Sequence, residues 1–126
     1  MILLDTHTLL WAFFQMENIP RQTQNLIEET DKAYVSIASL WEIAIKQSIG
    51  KLNLNCSIGD IVRICEEEGI DILHIRSEHL DQIKLLPMVH NDPFDRLIIS
   101  QAIVENLSIV SKDHVFGDYD VKLIWK

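Results

Sequence analysis

Asp5, Glu42, Asp95 and Asp113 are the residues of this 126-residue chain whose type and placement could do chemistry together. Asp5 directly follows the short apolar run Ile2-Leu3-Leu4, and Asp113 comes three residues after Ser108-Ile109-Val110. Asp95 lies in the first turn of a long segment of helical periodicity that opens at Pro93. Glu42 is set in Ser39-Leu40-Trp41-Glu42-Ile43-Ala44-Ile45, where a charged side chain is out of keeping with its neighbours. If the four converge to about 5 Å, each pair repels by roughly 3 kcal/mol at an effective dielectric of about 20. The roughly six pairs of such a cluster would cost as much as the whole stability of a domain, about 5 to 15 kcal/mol. Some of the acids must then be protonated, or a cation must be bound. Carboxylates without a His or Cys cluster select a hard ion, so Mg²⁺ or Mn²⁺ is expected rather than zinc.

Each acid also has an ordinary role. Asp5 and Asp113 could be helix N-caps. Asp92-Pro93-Phe94-Asp95 resembles a capping box with Pro at the first helical position. Glu42 and Lys46 form an i,i+4 pair in the favourable order. These roles suffice one at a time, but four structural acids have no reason to gather at one end of a sheet. Other chemistries find little support. The five histidines are scattered, and His7, His90 and His114 are candidates for a site rim, more simply read as hydrogen-bonding groups. Gly50, Gly59, Gly69 and Gly117 are isolated, so no phosphate-cradling loop is present, and Ser36, Ser39 and Ser111 lack the G-x-S-x-G context of a hydrolase nucleophile.

The elements that must position these acids alternate between short apolar runs and longer helical segments, which predicts an α/β domain. Strands are expected at Ile2 to Leu4, Ala33 to Val35, Ile70 to Ile75, Ser108 to Val110 and Lys122 to Trp125. Helices are expected at Thr8 to Met16, from near Pro20, at Ile37 to Ile49, Ile58 to Glu68, Glu78 to Leu85 and Pro93 to Asn106. This pattern predicts an open, doubly wound, mainly parallel five-stranded sheet with its site at the carboxyl ends of the strands. The run Leu9-Leu10-Trp11-Ala12-Phe13-Phe14 exceeds one buried helical face, so part of it is expected to meet a partner.

Length and a hydrophobic content of 48% fit one domain with a real core. The net charge of −8 and pI near 4.9 exclude a broad basic face that grips nucleic acid. A nuclease escapes that objection if its acids hold divalent cations, which reverse the local sign. Cys56 and Cys65 stand alone, as reduced thiols do, and no apolar run approaches the roughly 20 residues that span a bilayer. The expected location is the cytoplasm, away from membranes.

Four blocks then carry a family resemblance: Leu3-Leu4-Asp5-Thr6-His7, Val35-Ser36-Ile37-Ala38-Ser39-Leu40-Trp41-Glu42, His90-Asn91-Asp92-Pro93-Phe94-Asp95-Arg96 and Ser111-Lys112-Asp113. In this order, from Ile2 to about Ile124, they resemble the successive motifs of PIN-domain ribonucleases of the VapC-like toxin kind. The resemblance implies a PIN-like fold with helices on both faces, over residues 1–126 as a single domain. It implies a Mg²⁺ or Mn²⁺ site from Asp5, Glu42, Asp95 and Asp113. Ser111, Thr6 and Asp92 stand behind these acids, Asp92 as the cap that positions Asp95. Lys46, Arg96 and Lys112 are the basic residues nearest in sequence and could touch RNA phosphates. The implied reaction is hydrolysis of an RNA phosphodiester; the implied partners are a second copy of the chain and a cognate antitoxin that covers the site. Two rivals are a receiver-like phosphoacceptor signalling domain and a PIN-like module that binds without catalysis. The first would need paired acids after the first strand, an acceptor Asp after the third and a Lys after the fifth, whereas here Asp5 stands alone, the third strand leads to His74 and Lys126 ends the chain. The second is opposed by the presence of all four acids.

Overall fold

A computed structural model describes all 126 residues. The strands are β1 (Ile2–Leu4), β2 (Ala33–Ser36), β3 (Ile70–Leu73), β4 (Ser108–Val110) and β5 (Leu123–Ile124). They form one sheet of order β3-β2-β1-β4-β5, and every pairing is parallel. The helices are α1 (Thr6–Phe14), α2 (Arg21–Glu29), α3 (Ile37–Ser48), α4 (Ile58–Glu67), α5 (Ser77–Ile83) and α6 (Pro93–Glu105). A receiver-like domain would show the flavodoxin-like order 2-1-3-4-5, so this strand order removes that rival.

Both faces of the sheet are covered, as parallel sheets require. Ile2 and Leu4 point into a core shared with Leu9, Leu40, Ile43, Ile61 and Cys65, which come from α1, α3 and α4. Leu3, between them, points the other way, into a core with Ile98, Ile99 and Ala102 of α6 and with Ile109 and Phe116. The period-2 alternation of the central strand thus splits the apolar residues into two layers. After β3 the chain returns through α5 and α6 to place β4 on the far side of β1. This reversal opens a crevice above the carboxyl ends of β1 and β4.

A clasp holds α5 to the end of α6. His79 is fully buried, its Nδ1 accepts from the Arg76 backbone N–H at 3.0 Å, and its Nε2 therefore donates to Glu105 Oε2 at 2.7 Å. Arg76 also pairs with Glu105, through Nε at 3.2 Å and through Nη2.

Several boundaries differ from the sequence reading. α1 starts at Thr6, two residues earlier than expected, because the Asp5 side chain caps it. β3 ends at Leu73, the last residue that has a partner on β2, and β5 keeps only the two residues that pair with β4. α6 stops at Glu105 because Asn106 adopts a left-handed conformation, φ 57°. The apolar run of α1 is mostly absorbed: Leu9 is buried, Leu10 and Phe13 pack on the core, and Phe14 is 44% exposed. The larger exposed apolar surfaces are elsewhere, on Trp41 and Ile45 of α3 with Ile49 at its C-cap, and on Leu85, Met88 and Val89 before α6. No helix is long and apolar enough to cross a membrane.

Candidate functional site

The crevice at the strand ends is a polar cleft of about 450 Å³, and all four acids line it. Thr6, His7, Trp11, Lys46, His90, Asp92, Ser111, Lys112 and Phe116 complete the lining. Each acid reaches the cleft from a different element, so long-range packing, not local sequence, sets their arrangement.

Asp5 follows β1 and caps α1, its Oδ1 accepting from the Thr8 backbone N–H at 2.9 Å. Its Oδ2 accepts from the Ser111 hydroxyl at 2.5 Å. Ser111 Oγ in turn accepts the backbone N–H of Asp113 at 3.0 Å, so one buried serine orients Asp5 and fixes the turn that carries Asp113. The Asp5 and Val110 backbones bond at 3.2 Å, and Thr8 Oγ1 donates to the same Val110 carbonyl at 2.9 Å. Asp5 is therefore both the cap it resembles and a wall of the cleft. Burial raises its carboxyl above the ordinary 3.8, against the Ser111 and Thr8 hydrogen bonds.

Glu42 points inward from the middle of α3. Thr6 Oγ1 lies 2.7 Å from Glu42 Oε1 and 2.9 Å from Ser39 Oγ. A carboxylate can only accept, so the threonine donates to Glu42 and the buried serine completes the chain. Lys46 Nζ sits 3.0 Å from the other oxygen, Oε2. The expected i,i+4 pair exists, at the edge of the cleft.

Asp95 accepts no bond from a lysine or arginine. Its backbone N–H is capped by Asp92 Oδ1 at 3.0 Å, and its Oδ2 lies 2.8 Å from His90 Nε2. Burial, above all, pushes its pKa up to about 6; the His90 hydrogen bond opposes the rise, while the charges of Asp92 and Glu42 add to it. His90, Asp92 and Asp95 bring three potential ligand atoms within 4.8 Å of one another. Asp113 is exposed on the lip, where its Oδ1 accepts from the Val115 N–H at 3.1 Å.

The donor set fits a hard divalent cation. Asp5, Glu42, Asp95 and Asp113 offer carboxylate oxygens, Thr6 and Ser111 orient two of them, and the buried Asp5 and half-buried Asp95 lack a Lys or Arg counter-charge. Other expected residues separate here. Lys46 and Lys112 line the cleft, whereas Arg96 does not. Its guanidinium donates to the carbonyls of Pro87, His90 and Ile83, so it holds the loop before α6 instead of facing a phosphate. His90 enters the site and His114 does not. Ser39 and Trp11 were not legible as site residues: the first sits behind Thr6, and the second reads as core in a run of apolar neighbours.

A profile of the PIN domain family matches residues 2–122. No curated protein matches the chain by sequence. Among solved structures, VapBC2 from Rickettsia felis, bound to a promoter DNA fragment, is similar over 100% of both chains, with a TM-score of 0.75 and 18% identity. A toxin-antitoxin complex from Klebsiella pneumoniae covers 98% of this chain and 96% of its own, with a TM-score of 0.65 and 12% identity. FitAcB from Neisseria gonorrhoeae gives the same coverages, 98% and 96%, with a TM-score of 0.63 and 21% identity.

Proposed function

This chain belongs to the PIN domain family, and from that premise we propose that it is a Mg²⁺- or Mn²⁺-dependent endoribonuclease, the toxin of a toxin–antitoxin pair. The observation that carries the reading is that Asp5, Glu42, Asp95 and Asp113 line one cleft, where Asp92 and Glu42 add like charge to Asp95 and a divalent ion would relieve it. The toxin assignment draws its support from solved neighbours of the same fold that are toxin–antitoxin complexes. On this reading the chain acts as one PIN domain, in the cytoplasm, as a homodimer that a cognate antitoxin silences.

Asp5, Glu42, Asp95 and Asp113 would hold the ion, which supplies, when bound, an activated water and charge stabilisation at the scissile phosphate. The chain's own residues prepare that site. Ser111 and Thr8 lock the Asp5 carboxylate in one rotamer. Thr6 and Lys46 aim the two oxygens of Glu42. Asp92 fixes the backbone from which Asp95 projects, and His90 Nε2 can pass a proton to or from the Asp95 carboxyl. Lys112, exposed on the lip and in no ion pair, is placed to meet a phosphate of the RNA strand.

The test is cleavage of a structured RNA by the purified protein. EDTA should abolish it, excess Mg²⁺ or Mn²⁺ should restore it, and folded Asp5→Asn protein should lose it by orders of magnitude. Full activity in EDTA, or near-normal cleavage by Asp5→Asn, would end the metal-nuclease reading. The toxin assignment is checked separately: co-expression with the adjacent small reading frame should yield an inhibited complex.

A further inference from the structure

Resting on the nuclease reading above, we propose that His7 and Trp11 form a stacking platform that holds an unpaired base of the substrate strand beside the acidic cleft. The two side chains stand at i and i+4 on α1, so they share a face. Leu9, Leu10 and Phe13 of the same helix turn toward the core, while Trp11, half-buried, packs on neither core cluster and lines the cleft instead. The His7 and Trp11 rings lie 5.8 Å apart between centroids, tilted by 32°. Trp125, itself packed on the core, contacts Trp11 with ring centroids 5.9 Å apart. The result is an exposed ring and a backed ring on the wall of the cleft that Lys112 and Asp113 also line.

The charge balance gives the rings a task. The cleft carries five acids and two lysines, and Lys46 is occupied by Glu42. Apart from a bound ion, which would serve the scissile phosphate, Lys112 is the one unpaired lysine of the cleft left to attract a phosphate, in a chain of net charge −8. Grip on the strand beyond the scissile phosphate must therefore come largely from contacts that charge does not govern. Base–aromatic stacking is such a contact, and it accepts any base because each has a π-face. It also selects unpaired strands, since a duplex hides those faces. Purines, with the larger ring surface, should be favoured at the platform over pyrimidines.

A short unpaired RNA, labelled at one end, is titrated into the full-length protein in Ca²⁺ buffer and followed by fluorescence anisotropy. The same RNA is then tested with an abasic nucleotide at each position in turn. For wild type, one or two abasic positions should weaken binding about tenfold and abolish the accompanying change in tryptophan emission. Trp11→Leu, which stays apolar but is smaller and has no π-face, should bind about tenfold more weakly and be indifferent to the abasic positions; Trp11→Phe should recover most of the loss. In cleavage assays Trp11→Leu should raise KM and leave kcat largely unchanged. A Trp11→Leu protein that binds RNA like wild type overturns the proposal, as does a wild type that binds no RNA or ignores every abasic site. Weakened binding to a partner protein with RNA binding intact likewise overturns it and assigns the rings to that partner. Base-dependent binding with no cleavage in Mg²⁺ would instead refute the nuclease reading and leave the platform standing.

Discussion

The two ends of α6 carry the same contact, a histidine Nε2 against a carboxylate oxygen, at 2.8 Å between His90 and Asp95 and at 2.7 Å between His79 and Glu105. The consequences are opposite. Glu105 is held below the usual carboxylate range, first by the Arg76 hydrogen bond and then by His79. Asp95 is pushed up to about 6, first by burial, with Asp92 and Glu42 adding like charge. The difference lies in the company each pair keeps. An arginine neutralises the pair at the far end of the helix, and further acids surround the pair at the near end. A His–carboxylate bond in itself therefore identifies nothing; the uncompensated charge around it separates a clasp from a candidate cation site.

The largest effect that could break this contrast is on cleavage. Asp95→Asn should lower kcat/KM at least a hundredfold, about 3 kcal/mol of transition-state stabilisation, while Glu105→Gln stays within a few-fold of wild type. Equal losses in both variants, each shown to be folded, would erase the distinction. Stability should respond the other way. His79→Ala leaves a cavity and an unpartnered Arg76 N–H, and should cost about 3 kcal/mol in a denaturant titration; His90→Ala, on the cleft wall, should cost under about 1 kcal/mol.

The smallest effect is the pH dependence of the protein in EDTA. Asp95 has a raised folded-state pKa, so its contribution to stability is full below about 3.8 and is lost as pH rises through about 6. That loss amounts to roughly 3 kcal/mol. Glu105, with a lowered pKa, contributes above its ordinary 4.5, and that contribution is lost as pH falls. Asp95→Asn should therefore remove the decline between about pH 4 and pH 7, and Glu105→Gln should soften the acid limb. Unfolding curves collected across that range measure both; a decline that persists unchanged in Asp95→Asn would assign it to other groups.

Much of this arrangement was legible in the sequence, for local reasons. Strands such as Ile2–Leu4 and Ser108–Val110 are short apolar runs with an acid just beyond them, and Asp92-Pro93 announces the start of α6. The four acids could be singled out because each stands where a sheet of this kind presents side chains. What stayed hidden depends on contacts across the chain. Ser111 bridges to Asp5 over 106 positions and Thr6 to Glu42 over 36, and no local pattern marks either bond. Arg96 looked like a phosphate ligand beside Asp95, yet the loop from Ile83 to His90 folds back and occupies it. Trp11 looked like core because its neighbours are core; only the rotation of α1 on the sheet turns it outward.

The ends of the sheet carry a consequence of a different sort. β5 offers only two residues, and the outer strand on the other side, β3, has an exposed Asp71 paired with Lys32. A short edge and a charged edge both resist extension by a strand from another polypeptide. Recognition of this protein must then be read from side chains on helices and loops, and sequence changes there, unlike changes in the strands, can redirect its associations without disturbing the fold.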